Sequence, residues 1–563
     1  MQIVVPMSGF GERFRRVGYD VPKPLIVVDG KPIIAHVMDL FPGERDVVFV
    51  CNQAHLDEPA YRMAEILRGV CPTGRVVGIA PHRLGPVHAV MQVMHLLDPA
   101  RPVVVNYCDF VCYWDWADFR AFVAETGCEG AIPAYRGFHP HSLGSTFYAY
   151  LRTRDGWVED IREKQPFTER PMEEYASSGT YYFSSAGLMG EAFAAVVSEG
   201  LMVGGEFYVS LAYRPLLARG AKVAVYPVQH FMQWGTPGDL AEYVRWSGAF
   251  RWLVEDRGRR ARAGGTVMVP MAGLGKRFAD RGFVVPKPLV AVSGRAMAVQ
   301  AARDLPEGRL VFVVRRDLPG VDQVGEALGS ALGGEMVVLE GVTDGQARTC
   351  ALGMVAAGVD LAAPLTIGAC DNGMLYEGEA FEALFSRVSP SLFPSHKGRG
   401  EVDVVVWVVR GHPAAGLHPA MFGWVEADDD GRVRRVSVKV ALSDPATDPI
   451  VVGAFSFRRA WIFAEAFERM VGRGAMVNGE YYVDACINDA IALGYSCRVF
   501  EIAHYLGWGT PDDLATFEYW QSCFHKWGSH PYRLEGDRRV PGEAVAGLEV
   551  LYAAPAVERP GLG

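Results

Sequence analysis

The residues best suited to chemistry in this chain come in two matching sets. Val5-Pro6-Met7-Ser8-Gly9-Phe10-Gly11-Glu12-Arg13-Phe14 is followed by Val21-Pro22-Lys23-Pro24-Leu25. Val269-Pro270-Met271-Ala272-Gly273-Leu274-Gly275-Lys276-Arg277-Phe278 is followed by Val285-Pro286-Lys287-Pro288-Leu289, and Pro270 lies 264 residues after Pro6. Glycines let backbone N–H groups approach phosphate oxygens with no Cβ in the way. Arg13 and Arg277 add a charge-assisted, bidentate-capable donor. Lys23 and Lys287 each sit between two prolines, which fix the local backbone and aim the ammonium. The expected nucleotide-binding residues are therefore Met7, Ser8, Gly9 and Gly11, and Met271, Ala272, Gly273 and Gly275. Neither loop is a Walker A or a Gly-x-Gly-x-x-Gly sequence, because Arg and Phe follow the second Gly.

Such loops need strands to carry them. In the first half Gln2–Pro6, Asp46–Val50, Arg75–Ile79 and Pro102–Asn106 read as strands, and Gly85–Leu97 as helical. Thr266–Val269, Arg309–Val314, Glu335–Leu339 and Leu365–Gly368 repeat the order. Alternating strands and helices predict an α/β fold, two tandem Rossmann-like domains each with a mainly parallel central sheet flanked by helices. Right-handed crossovers would put the loops after the strands along one ligand-binding edge. Length alone predicts three or four domains, and the repeat lowers that to two. The expected boundaries are 1–253, a charged, glycine-rich linker over 254–265, a second domain over 266–540, and a loosely ordered tail over 541–563. The two halves are expected to pack as a pseudo-dimer.

The loop, its arginine and the Pro-Lys-Pro lysine resemble the nucleotidyltransferases that join a nucleoside triphosphate to a phosphorylated sugar or small alcohol, releasing pyrophosphate. The resemblance covers almost all of both halves and implies catalytic roles on phosphate for Arg13, Lys23, Arg277 and Lys287. It also implies a Mg²⁺-binding aspartate at a strand end, matched by Asp109 and Asp371, which lie 262 residues apart. A base-recognising turn falls at Gly85-Pro86-Val87-His88 and Gly345-Gln346-Ala347-Arg348, which share little sequence. Lys164, in Glu163-Lys164, corresponds to the lysine that holds the acceptor phosphate. Lys439 follows Val438, so the lysine recurs without the glutamate. Gly179 and Gly453 fall where the acceptor approaches the backbone, and Glu206 and Glu480 where a carboxylate contacts it or orients the site. Relatives place a second metal-binding Asp three residues before the Thr of Trp-Gly-Thr-Pro. Gln233 and Gly507 stand there instead, leaving Asp239, Asp512 or Asp513 as substitutes. The Trp-Gly-Thr-Pro form points to the subgroup that activates surface-polysaccharide and phospho-alcohol precursors, with CTP favoured.

The formal charge of -10 and the absence of a long basic run argue against nucleic acid as partner. No apolar run is long enough to span a bilayer. The first residues read as a strand rather than a leader, so the expected location is cytoplasmic. The ten cysteines include no Cys-x-x-Cys and read as buried thiols. Two other readings stay open. One half can be catalytic and the other a regulatory or binding relic, or the chain can be a glycosyltransferase of similar fold, although Asp109-Phe110-Val111 and Asp371-Asn372-Gly373 lack the Asp-x-Asp such enzymes use.

Overall fold

The computed structural model describes residues 1–144, 146–255, 260–385, 402–554 and 560. Linker residues 256–259 and tail residues 555–559 and 561–563 lie outside the described residues. The chain forms two compact units, residues 1–247 joined by the described residues of 552–563, and residues 248–551.

In the first unit a ten-stranded sheet runs, edge to edge, Tyr175–Ser177, Ala149–Arg154, Trp157–Glu163, Val223–Pro227, Gly130–Tyr135, Thr180–Phe183, Val103–Asn106, Gln2–Met7, Val47–Asn52, Arg75–Ile79. The last four strands are parallel. Thr180–Phe183 runs antiparallel to both of its neighbours, so the sheet is a parallel wing joined to a mixed one. The second unit repeats this order: Glu335–Leu339, Glu307–Arg315, Arg262–Pro270, Leu365–Ile367, Ile450–Phe457, Val404–Val409, Cys497–Glu501. A hairpin of Gly423–Ala427 and Val433–Val438 flanks it, as Ala149–Arg154 and Trp157–Glu163 do in the first unit. The duplication is therefore one of topology as well as of sequence.

The parallel strands are rich in valine because both faces are covered. In the second unit Met268, Val311 and Val313 pack with residues of the helices Gln346–Ala356, Ala460–Gly472 and Val483–Ala492. Val267, Val269, Phe312 and Val314 face the opposite way, into a core with residues of Met297–Asp304 and Val321–Leu332. Each such side chain contributes about 1.5–3 kcal/mol on burial.

The boundaries differ in detail from the expected ones. The units divide inside the helix Pro237–Val254, because Phe250 is wholly buried against Phe524 and Tyr532 in the second unit. The first strand of the second unit begins at Arg262, inside the expected linker, with Ala261 and Ala263 buried. The start of the expected tail is also ordered: Gly542–Ala544 is a 3-10 turn and Val545–Leu551 a helix. The expected helix over Gly85–Leu97 is the shorter helix Pro86–Met91 followed by a 3-10 turn, Met94–Leu96. All ten cysteines are unpaired, and nine are buried. Among the described residues no helix is long and apolar enough to cross a membrane.

Candidate active sites

Each glycine-rich loop leaves the C-terminal end of a central strand. Met7 and Met271 are the buried strand-side residues, followed by buried Ser8 and Ala272 and by exposed Gly9 and Gly273. Gly11 and Gly275 cap the short helices that follow, with φ of 66° and 62°, a left-handed conformation that glycine adopts without penalty. Those helices carry Arg13 and Arg277 on the exposed surface. Among the described residues neither arginine pairs with a carboxylate.

The prolines do to the lysines what their spacing predicts. Pro22 and Pro286 have nearly the same backbone angles, φ of -56° and -55°, and each begins a one-turn 3-10 helix, Lys23–Leu25 or Lys287–Leu289. Lys23 Nζ then donates to Asp109 Oδ2 at 2.7 Å, and Lys287 Nζ to Asp371 Oδ2 at 2.6 Å. Burial alone would lower the ammonium pKa of both lysines. The neighbouring aspartates outweigh it, and both lysines end above their ordinary value.

The aspartates are held from the other side by the Trp-Gly-Thr-Pro segments. Trp234 N–H donates to the Asp109 carbonyl at 2.7 Å and Trp508 N–H to that of Asp371 at 2.9 Å, with both indoles wholly buried. A methyl group placed on Gly235 would lie 3.4 Å from Asp109 Oδ2 and 4.0 Å from Asp239 Oδ2. One on Gly509 would lie 3.4 Å from Asp371 Oδ2 and 3.8 Å from Asp513 Oδ2. Two carboxylates thus border one glycine in each unit. Asp239 and Asp513 lie in the first turn of the helices Pro237–Val254 and Pro511–Lys526 and accept from the Thr236 and Thr510 hydroxyls at 2.6 and 2.7 Å. Burial raises both carboxyl pKa values, and the nearby Asp109 or Asp371 adds to the rise. Gln233 donates its amide to Asp239 Oδ1 at 2.5 Å, a bond that Gly507 cannot make to Asp513. Asp512 pairs instead with Arg281 at 2.9 Å. Among the described residues no group of three metal-ligating side chains is assembled.

On the acceptor side, Lys164 and Lys439 both hold positive φ, 58° and 61°. A lysine held there costs about 1–3 kcal/mol. The structure adds a partner absent from the sequence expectations. Lys164 Nζ donates to the Tyr208 hydroxyl at 2.5 Å, and Tyr208 donates onward to Glu206. Lys439 Nζ donates to Tyr482 at 2.7 Å, and Tyr482 to Glu480 at 2.5 Å. Burial and the adjoining glutamate hold both phenols protonated, well above the ordinary tyrosine range. The repeat of Tyr two residues after Glu is visible in the sequence, but the sequence reading singles out only Glu206 and Glu480 there.

Gly85 and Gly345 lie against the backbone of Phe207 and Tyr481. Gly85 has φ of 86°, and a Cβ there would lie 2.8 Å from the backbone N and O of Phe207. Gly345 has φ of 122°, and its Cβ would lie 2.5 Å from the same atoms of Tyr481. Each turn is pinned to the Glu-aromatic-Tyr segment by backbone bonds, Phe207 N–H to Leu84 O at 2.9 Å and Tyr481 N–H to Asp344 O at 2.7 Å. The side chains around the turns differ. His82 and His88 meet edge to face in the first unit, ring centroids 4.6 Å apart, with His82 Nε2 3.4 Å from Ser8 Oγ. In the second, Arg348 donates to Asp344 at 2.9 Å. Gly179 and Gly453 sit beside the aspartate loops: Tyr107 N–H donates to the Gly179 carbonyl at 3.1 Å, and a Cβ on Gly453 would meet Ala369 at 3.1 Å.

Residues 3–166 match the MobA-like NTP transferase domain. The matched stretch holds Arg13, Lys23, Asp109 and Lys164. The bifunctional protein GlmU of Cupriavidus necator is 36% identical to this chain over 133 residues, 23% of this chain and 26% of that protein. The mannose-1-phosphate guanyltransferase of Schizosaccharomyces pombe is 27% identical over 176 residues, 31% of this chain and 46% of that one. These matches therefore span about a quarter to a half of the relatives' length. The crystal structure of a nucleoside-diphosphate-sugar pyrophosphorylase from Vibrio cholerae aligns at a TM-score of 0.36 and 20% identity, over 45% of this chain and 98% of that one.

Proposed function

We propose that each unit transfers a nucleotidyl group, from CTP in preference to other triphosphates, to a phosphorylated sugar or small phospho-alcohol, releasing pyrophosphate. The observation that carries this reading is the repeated placement of cations. In each unit an exposed arginine, Arg13 or Arg277, follows the loop, and a strained lysine, Lys164 or Lys439, is held by a phenol rather than a carboxylate. Two phosphate-seeking positions, served by different elements, suit a reaction between two phosphates.

The acceptor phosphate oxygen attacks the α-phosphorus, the bond from that phosphorus to the bridging oxygen breaks, and pyrophosphate leaves. The attacking group is already an anion, so no general base is needed, and catalysis rests on positioning and charge neutralisation. Lys164 and Lys439 hold the acceptor phosphate. Arg13 and Arg277, with the loop amides, hold the leaving pyrophosphate. Asp109 and Asp371 would hold Mg²⁺, with Asp239 and Asp513 bordering the same glycines. The fit is supported by the two carboxylate oxygens within about 4 Å of one glycine Cβ position in each unit. Bound there, Mg²⁺ supplies charge neutralisation and Lewis-acid polarisation of phosphate oxygens.

The complete set recurs in both units, which favours two competent sites over one site and a relic. The different turns around Gly85 and Gly345 favour different nucleotides or acceptors. An activated sugar or alcohol of this kind suits surface-polysaccharide or related biosynthesis. The test is pyrophosphate release by the full chain with ATP, CTP, GTP and UTP against sugar 1-phosphates and polyol phosphates. Acceptor-dependent release, greatest with CTP, is expected. No acceptor-dependent release from any pair would refute the reading.

A further inference from the structure

The acceptor lysine has a carboxylate neighbour in both units, but the two carboxylates come from different elements. In the first unit it is Glu163, directly before Lys164 on the strand Trp157–Glu163, and Ser210 Oγ donates to it at 2.6 Å. In the second unit Val438 precedes Lys439. The position of Ser210, four residues after Glu206, is taken by Asp484, four residues after Glu480. A third position changes with these two. Glu163 pairs across its hairpin with Ala149, and Val438 pairs with Gly423. A methyl group on Gly423 would overlap Asp484 Oδ2. Alanine is thus excluded opposite the aspartate.

We propose that Asp484 is the acceptor-side carboxylate of the second unit, taking by way of the helix start the place that Glu163 fills from the strand, and that it accepts a hydrogen bond from a hydroxyl of the acceptor. The inference rests on reading the site as a nucleotidyltransferase acceptor site and names the residue that selects its acceptor. Lys439 attracts Asp484 as Lys164 attracts Glu163. Burial pushes each carboxyl up to about 6, so neither is a solvated surface acid. An acid serving only the N-terminus of Val483–Ala492 would gain from exposure to that helix end and would need no glycine opposite. Because the carboxylate arrives from another element, the hydroxyl it meets differs, and the two units select different acceptors behind the same lysine.

The experiment is calorimetric binding to the full chain carrying Lys164→Met, which removes the first unit's acceptor lysine. Inorganic phosphate presents no carbon-borne hydroxyl and so reports on the phosphate-holding cations without Asp484. Glucose 1-phosphate, mannose 1-phosphate, glycerol 3-phosphate and ribitol 5-phosphate present hydroxyls as well. With Asp484→Asn, affinity for the tightest of the four is expected to fall about tenfold or more, while affinity for inorganic phosphate stays within about threefold. Gly423→Ala, which displaces the carboxylate without deleting it, should lower the same ratio. An unchanged ratio in Asp484→Asn, or equal losses for phosphate and acceptor, would overturn the inference and leave the site reading standing. Failure of all four to bind the Lys164→Met chain would overturn the site reading, and the inference with it.

Discussion

Glu163 should be a residue whose charge serves the site at the expense of stability, and Glu163→Gln separates the two. Burial is the largest influence on this carboxyl and raises its pKa from 4.5 to about 6, against the opposing Ser210 hydrogen bond and Lys164 charge. A folded-state pKa above the unfolded one means that the native state binds the proton more tightly. Stability therefore falls as pH climbs from 4.5 through 6, and the full cost is present above about pH 7. The rise corresponds to about 2 kcal/mol. Glutamine keeps an oxygen for Ser210 and carries no charge, so it should stabilise the first unit by about 2 kcal/mol at pH 8 and by almost nothing near pH 4.5. For a unit of this size that is about 4 °C or more in melting temperature. Scanning fluorimetry of wild type and variant at pH 5 and pH 8 reads it directly, and first-unit turnover should fall in the same variant. An equal shift at both pH values, or none at pH 8, would refute the reasoning.

Tyr208→Phe, made with Arg277→Ala to silence the second unit, should raise the acceptor KM about tenfold and leave the nucleotide KM unchanged, because Lys164 loses its anchor. Steady-state kinetics with each substrate varied in turn will show it. Gly85→Ala should destabilise the first unit by about 2 kcal/mol or more, through positive φ and overlap with the Phe207 backbone, and is read by thermal melting. Asp109→Ala combined with Asp371→Ala should reduce pyrophosphate release about 10³-fold or more while the circular dichroism stays native.

Much of the nucleotide side was legible in the sequence because it consists of residue types that only phosphate chemistry brings together at fixed spacing. Arg13, Lys23 and their repeats could be read without any fold, and the pairing of Lys23 with Asp109 follows once strand ends share an edge. The acceptor side was less legible. Tyr208 and Tyr482 lie among aromatics that also serve the core, and only the fold brings their hydroxyls to Lys164 and Lys439. Asp484 was concealed because, in sequence, it stands opposite a serine and far from the lysine it accompanies. The antiparallel strand Thr180–Phe183 left no signal, since a run of apolar residues carries no direction. The division inside Pro237–Val254 depends on which core buries Phe250, a tertiary fact that the basic stretch after it obscured.

The central claim is that one chain carries two sites of the same reaction type. The most direct measurement is acceptor-dependent pyrophosphate release by the full chain carrying Arg13→Ala, Arg277→Ala, or both. Each single variant should lose turnover with one set of substrates and keep it with the other, and the double variant should lose both. Release by the double variant at the wild-type rate would contradict the account.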